Sequence, residues 1–115
     1  MSTSALLVMT QLPDLAAAQG LARALIEQRL AACVNIGTST SSLYHWKGAV
    51  ETAQEIPVTI KTTRAAYSRV EAVIRSLHPY ELPEILAVAV QGGSPEYLEW
   101  VGTEIRTDDA PEGAP

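Results

Sequence analysis

The side chains able to do chemistry concentrate in His78-Pro79-Tyr80-Glu81-Leu82-Pro83-Glu84-Ile85, where one imidazole, one phenol and two carboxylates share a segment stiffened by two prolines. Two chemistries follow from these types. Glu81 and Glu84 could act as acid and base with His78 carrying the proton. Alternatively His78, Glu84 and Glu81, joined by the single thiol Cys33, could ligate a divalent metal, with His45 and Glu55 as further donors. No two of these donors sit at a chelating spacing, and neither CxxC nor HExxH occurs, so a closed zinc site within one chain is not expected. A site completed between subunits stays open. Each residue also has a plainer reading: Cys33 as a small core residue of an apolar strand, His78 as a helix-end side chain offering a proton to the last carbonyls.

Lys61, at a strand end, could hold an anion or pair with Glu55 or Glu84. Tyr44 and Trp46 share one face of a strand and form an aromatic patch of the kind that anchors interfaces. The chain has no serine elbow, and Gly92-Gly93 lacks the flanking pattern of a phosphate loop. No catalytic residue is assigned, and a binding protein is favoured over an enzyme such as a hydrolase. Copper uptake by itself would say little, because the divalent affinity series peaks at copper for almost any site.

The elements that must position these groups can be read from hydrophobic periodicity. Ala66, Val70, Val73, Ile74 and Leu77 recur at helical spacing, and Pro79 forbids continuation by forcing His78 into extended geometry. Ile85 to Val90 is then an unbroken apolar run, a strand wanting cover on both faces. At the N-terminal end Ala5 to Met9 reads as a buried strand, followed by a helix from about Asp14 to Leu30 with Leu15, Ala18, Ala22, Leu25 and Ile26 on its stripe. Gly20 costs that helix ~1 kcal/mol and is expected to permit close packing. Ala32 to Ile36 alternates as a strand, Leu43 to Trp46 opens a hairpin that turns at Lys47-Gly48, and Ile56 to Thr62 returns with Pro57 at an edge or bulge. Ser94-Pro95-Glu96 starts a last helix carrying Tyr97, Leu98, Val101 and Ile105.

This order is the split βαβ arrangement of ferredoxin-like α+β folds: β-α-β-β-α-β plus a C-terminal helix. Two main helices cover one sheet face, whereas the first and last strands are apolar on both. Leaving a sheet face of hundreds of Å² uncovered costs about 25 cal/mol per Å², so a closed homo-oligomer is expected.

At 115 residues, 47% hydrophobic and 18% charged, the chain is long enough for one domain with its own core, spanning residues 1–106, while the acidic stretch 107–115 is expected to fray. A net charge of −5 without a lysine or arginine cluster gives no footprint for nucleic acid. One cysteine and no long apolar segment point to a cytoplasmic protein without a membrane association.

Gln28-Arg29-Leu30-Ala31-Ala32-Cys33-Val34-Asn35-Ile36, then Tyr44, Trp46 and Gly48, Glu55, Lys61-Thr62, His78-Pro79-Tyr80-Glu81 with Pro83-Glu84-Ile85, and Tyr97-Leu98 with Trp100 together resemble the CutA divalent-cation tolerance proteins. The resemblance covers roughly Ala5 to Arg106. It implies a ferredoxin-like subunit in a homotrimer similar to PII-type signalling proteins, a link to tolerance of copper and other divalent metals, and no organic cofactor. The family's inter-subunit cleft residues fall on Cys33, Lys61, His78, Tyr80, Glu81 and Glu84, with Tyr44 and Trp46 nearby. Some relatives carry further cysteines for metal, whereas this chain has only Cys33, so coordination by thiolates alone is not implied. A PII-like role, binding a small anion or a partner protein, is the alternative.

Overall fold

The structure, a computed structural model, describes residues 3–106; the acidic stretch 107–115 lies outside the described residues. Eight elements run in order: β1 (Ala5–Leu12), α1 (Leu15–Glu27), β2 (Cys33–Ile36), β3 (Thr40–Trp46), β4 (Ala49–Thr63), α2 (Tyr67–Leu77), β5 (Leu86–Ala89) and α3 (Pro95–Glu104). The sheet order is β2-β4-β1-β5, antiparallel throughout, with β3 paired to the far half of β4. This is the ferredoxin-like, PII-like α+β topology. The return strand is longer than its sequence suggests: β4 is continuous from Ala49 to Thr63, its second half in the sheet and its first half in a ribbon with β3.

Register decides the core. Leu6, Val8, Thr10 and Leu12 of β1 and Val58, Ile60 and Thr62 of β4 fall on one face, and all are buried. They pack against Ala18, Leu21 and Leu25 of α1 and Val70 and Ile74 of α2. The α1 stripe is therefore rotated from the expected one: Leu21 is inside, whereas Leu15 and Ile26 are exposed, as is Leu77 of α2. Asp14 caps α1 by accepting from the Ala17 amide at 2.8 Å. The helix stops short of Leu30 because Arg29 takes a left-handed φ of 56°; Arg29 N then donates to Ile26 O and Leu30 N to Leu25 O. That reversal drives Leu30 into the core, where the Thr62 hydroxyl donates to its carbonyl at 2.8 Å. Gly20 does not serve close packing: a Cβ there would meet nothing within 4 Å.

Pro57 lies where β4 exchanges one partner for another. It pairs with Gln11 of β1, and its carbonyl accepts from the Gly37 amide at 2.9 Å just past the end of β2. Its missing amide hydrogen thus costs the ladder little, since backbone N–H and C=O of one residue point the same way and β2 is already ending.

The opposite sheet face is less well covered. Register places Leu7 and Met9 beside Val88 and Leu86, and the two β5 residues are 47% and 55% exposed. Leu43 and Val50 of the ribbon are more exposed still, at 69% and 64%. Apolar surface of this extent on a strand edge and a two-stranded ribbon is unstable in isolation.

Two glycine substitutions should move stability in opposite directions. Gly37→Ala would set a Cβ 2.8 Å from Pro57 Cγ, and a loss of about 1–3 kcal/mol is expected, read as a lower urea midpoint at unchanged slope. Gly20→Ala, in an open helix position, should gain about 0.5–1 kcal/mol.

Candidate functional site

Everything at the site hangs from the end of α2. Pro79 forces His78 into extended geometry (φ −79°, ψ 131°), and the His78 amide closes the helix on Ile74 O at 2.8 Å. The ring turns inward and is buried. The Tyr80 amide lies 3.2 Å from Nδ1, and Gln11 O of β1 lies 2.6 Å from Nε2. An amide only donates and a carbonyl only accepts, so Nδ1 is the acceptor and Nε2 carries the proton. His78 is thus a neutral strut between the joint and β1, rather than a donor to its own helix carbonyls. Both nitrogens are engaged, so metal ligation here requires the ring to release the Tyr80 amide.

The strut places Tyr80. Its ring lies 4.7 Å from the imidazole, and its hydroxyl donates to Glu55 Oε2 at 2.9 Å. Glu55 is 7% exposed, at the point where β4 leaves the sheet for the ribbon. Around this pair opens a cleft of about 690 Å³. One wall is the joint, with Pro79, Tyr80, Glu81, Leu82 and Glu84; the other is the ribbon, with Ser42, Tyr44 and Trp46; Gln11 closes the β1 side. Cross-strand pairs Thr40 with Glu55 and Tyr44 with Glu51 put Tyr44 and Trp46 on the same ribbon face as Glu55. His45, one position off in the ladder, also borders the cleft.

Three carboxylates and no lysine or arginine line this cleft. Loss of solvent, then the negative charge of Glu55, pushes the Glu84 carboxyl above the usual carboxylate range. Desolvation, then the hydrogen bond to Glu55 and its charge, pushes the Tyr80 phenol up to about 12. In both groups loss of solvent is the larger cause and the negative charge of Glu55 adds to it.

Cys33 and Lys61 are not part of the cleft. They face each other across β2 and β4, and Lys61 lies six positions from Glu55 along β4, roughly 20 Å at the strand rise. Lys61 forms no ion pair with Glu55 or Glu84; its ammonium donates to the Tyr97 hydroxyl of α3 at 3.3 Å, 5.6 Å from the ring centroid. Cys33 is half-buried rather than a core residue. Sequence reasoning overlooked Gln11, whose contribution to His78 is a main-chain carbonyl that no side-chain pattern betrays. It also passed over Leu43 and Leu82, whose signal is an apolar side chain in an otherwise polar turn or ribbon.

Among the described residues, no three His, Cys, Asp or Glu side chains converge to hold a metal ion. The donors that line the cleft of one subunit are carboxylate oxygens and the His45 imidazole, and they do not converge into a closed coordination shell. A resident metal does not fit this subunit by itself.

The family model described as CutA1 divalent ion tolerance protein matches residues 6–104. The chain is 42% identical to a divalent-cation tolerance protein CutA of Thermus thermophilus, over 82% of this chain and 91% of that protein. It is 43% identical to a CutA protein of Mus musculus, over 77% of this chain but only 50% of the mouse protein's length. Among solved structures, CutA from Xylella fastidiosa superposes with a TM-score of 0.88 at 42% identity, covering 90% of this chain and 100% of that one. A protein from Archaeoglobus fulgidus described as a periplasmic divalent cation tolerance protein CutA superposes at 0.86 with 30% identity, covering 89% and 99%.

Two pH experiments follow from the electrostatics. Of the four tyrosines, Tyr80 should ionise only near pH 12, and Tyr80→Phe should remove a late component of the ultraviolet titration. Since the folded value lies above the free phenol's 10.0, this stability is present below about pH 10 and lost between about 10 and 12. Glu84 has the same sign at lower pH: its contribution is present in acid and lost as pH rises through its raised value. Glu84→Gln should therefore raise the denaturation midpoint at pH 7 and leave it unchanged at acid pH.

Proposed function

The chain belongs to the CutA1 divalent ion tolerance protein family, and from that premise we propose that it is a homotrimeric binding protein that takes up divalent cations at the cleft between joint and ribbon, completed by a neighbouring subunit. The observation that carries this reading is the negative charge of the cleft: Glu55 is buried, loss of solvent and then the charge of Glu55 raise the Glu84 carboxyl, and no lysine or arginine lines the groove. Carboxylates in that condition gain from any cation that enters. Support for assembly is the exposed apolar surface of β5 and the ribbon, next to the cleft, which a second copy would cover. Copies would also bring further donors to a set that is incomplete in one chain.

Glu84 and Glu81 are the carboxylates available to the cation, with Glu55 beneath them. His78 acts by positioning, holding Tyr80 on Glu55; Cys33 contributes only if it comes from another subunit. Copper, the ion the resemblance implies, enters such a site readily, but so would it enter most nitrogen and oxygen sites. A cytoplasmic setting is supported by the lone cysteine, which makes no internal disulfide; no helix among the described residues is long and apolar enough to cross a membrane. The alternative of a small-anion regulator has less to rest on, since an anion would meet three carboxylates and Lys61 is engaged with Tyr97.

Light scattering should give a mass of three subunits of 12.3 kDa, and calorimetric titration with copper and magnesium should show a stoichiometric site weakened about tenfold or more by Glu84→Gln. His78→Ala should weaken it about 10–100-fold, the usual reach of a positioning partner, and should also abolish the late Tyr80 titration. Unchanged affinity in Glu84→Gln within an intact trimer would overturn the site.

A further inference from the structure

The dimensions and lining of the cleft suit a larger ligand than a bare ion. We infer that it also takes an organic ammonium ion, a positively charged nitrogen bearing carbon substituents, held between the Tyr44 and Trp46 rings and the carboxylates of Glu55 and Glu84. This rests on the cation reading of the cleft and names a second chemical class for it. A volume of about 690 Å³ lies within the roughly 300–1,000 Å³ of small-molecule sites, whereas no three donors of the described residues approach closely enough to grip a metal.

The charge and the surfaces agree. Glu55 is 7% exposed and its carboxylate is met by a neutral phenol; such a buried charge calls for a cation. Above it Tyr44 and Trp46 remain 43% and 36% exposed, on the same ribbon face as Glu55. Aromatic rings beside carboxylates are the arrangement that recognises alkylated ammonium groups, the ring faces attracting the charge while the methylenes lie against apolar walls. Leu82 and Pro79 supply such walls on the joint. The Trp46 ring is within reach of one ammonium of this chain, Lys47 Nζ at 5.8 Å from its centroid at the hairpin turn, which an incoming ammonium ion would displace.

Tetramethylammonium is the probe, because it has no N–H and cannot bind by hydrogen bonding. Calorimetric titration of the assembled protein with tetramethylammonium chloride should reveal saturable binding, at most one ion per subunit. Trp46→Leu should weaken it at least tenfold, Trp46→Phe should restore most of it, and Glu84→Gln should weaken it. Trp100→Leu, which alters the protein's other tryptophan, on α3 away from the cleft, should leave it unchanged. If copper or magnesium binds the cleft and tetramethylammonium does not, this inference fails and the metal reading stands. If neither binds, both fail. Tetramethylammonium binding that is indifferent to Trp46→Leu, or equally lost in Trp100→Leu, also overturns it.

Discussion

A neutral imidazole spends both of its nitrogens holding two distant parts of the chain together, and the site depends on that. The contact to Gln11 ties the end of α2 to β1, a strand 67 residues earlier in the chain, beyond the core packing of Val70 and Ile74. Without the Tyr80 amide on Nδ1, the phenol would lose its aim at Glu55. The prolines on either side narrow the backbone choices, but a stiff segment can be stiff in the wrong direction. The ring supplies the direction, and it does so as a buried group whose own polar atoms are satisfied, so little stability is sacrificed for the placement.

Around this strut the protein tolerates an electrostatic conflict. The Tyr80 hydroxyl is the hydrogen-bond donor to Glu55, and Glu84 stands in the same negative field. Cores usually resolve such a conflict with a lysine or arginine, and the cleft lining has neither. Elsewhere the chain does use them: Arg75 pairs with Glu71 at 2.9 Å and Arg29 with Glu104 at 3.3 Å, both on the surface. Surface pairs of this kind add little. Three carboxylates thus share one groove whose lining holds no lysine or arginine, and an arriving cation meets their combined field.

Much of this was legible before the fold was known, and the misses share a cause. Pro79 and Pro83 identified the joint, alternation identified the strands, and the two-sided apolar character of Ile85 to Val90 foretold the exposure of Leu86 and Val88 in a single chain. What failed was long-range geometry. Lys61 and Cys33 belong to the same resembling motif set as Tyr80 and Glu84, and within one subunit register puts them at the other end of β4, so a cleft holding all four would need a second copy. The α1 stripe was misread by one position because Leu15, Ala22 and Ile26 are as apolar as Leu21, and only the neighbouring sheet decides which of them goes inside. Gln11 was invisible because it acts through its backbone.

One feature of the sheet bears on the width of the cleft. β4 runs unbroken from the core into the ribbon: at Pro57 the β2 ladder has just ended, but pairing with β1 continues through Gln11 with Pro57 and Leu12 with Ile56, and the β3 ladder begins at the next residue, Glu55. The two-stranded arm is therefore a direct extension of the central strand, with every β4 residue from Ala49 to Thr63 paired to β3 or β1. Tyr44 and Trp46 ride on the arm, while Tyr80 and Glu84 ride on the joint. Both walls of the groove are thus tied to β1, one through the unbroken β4 and the other through the His78 ring on Gln11, so that its width is a property of the main chain rather than of side-chain rotamers.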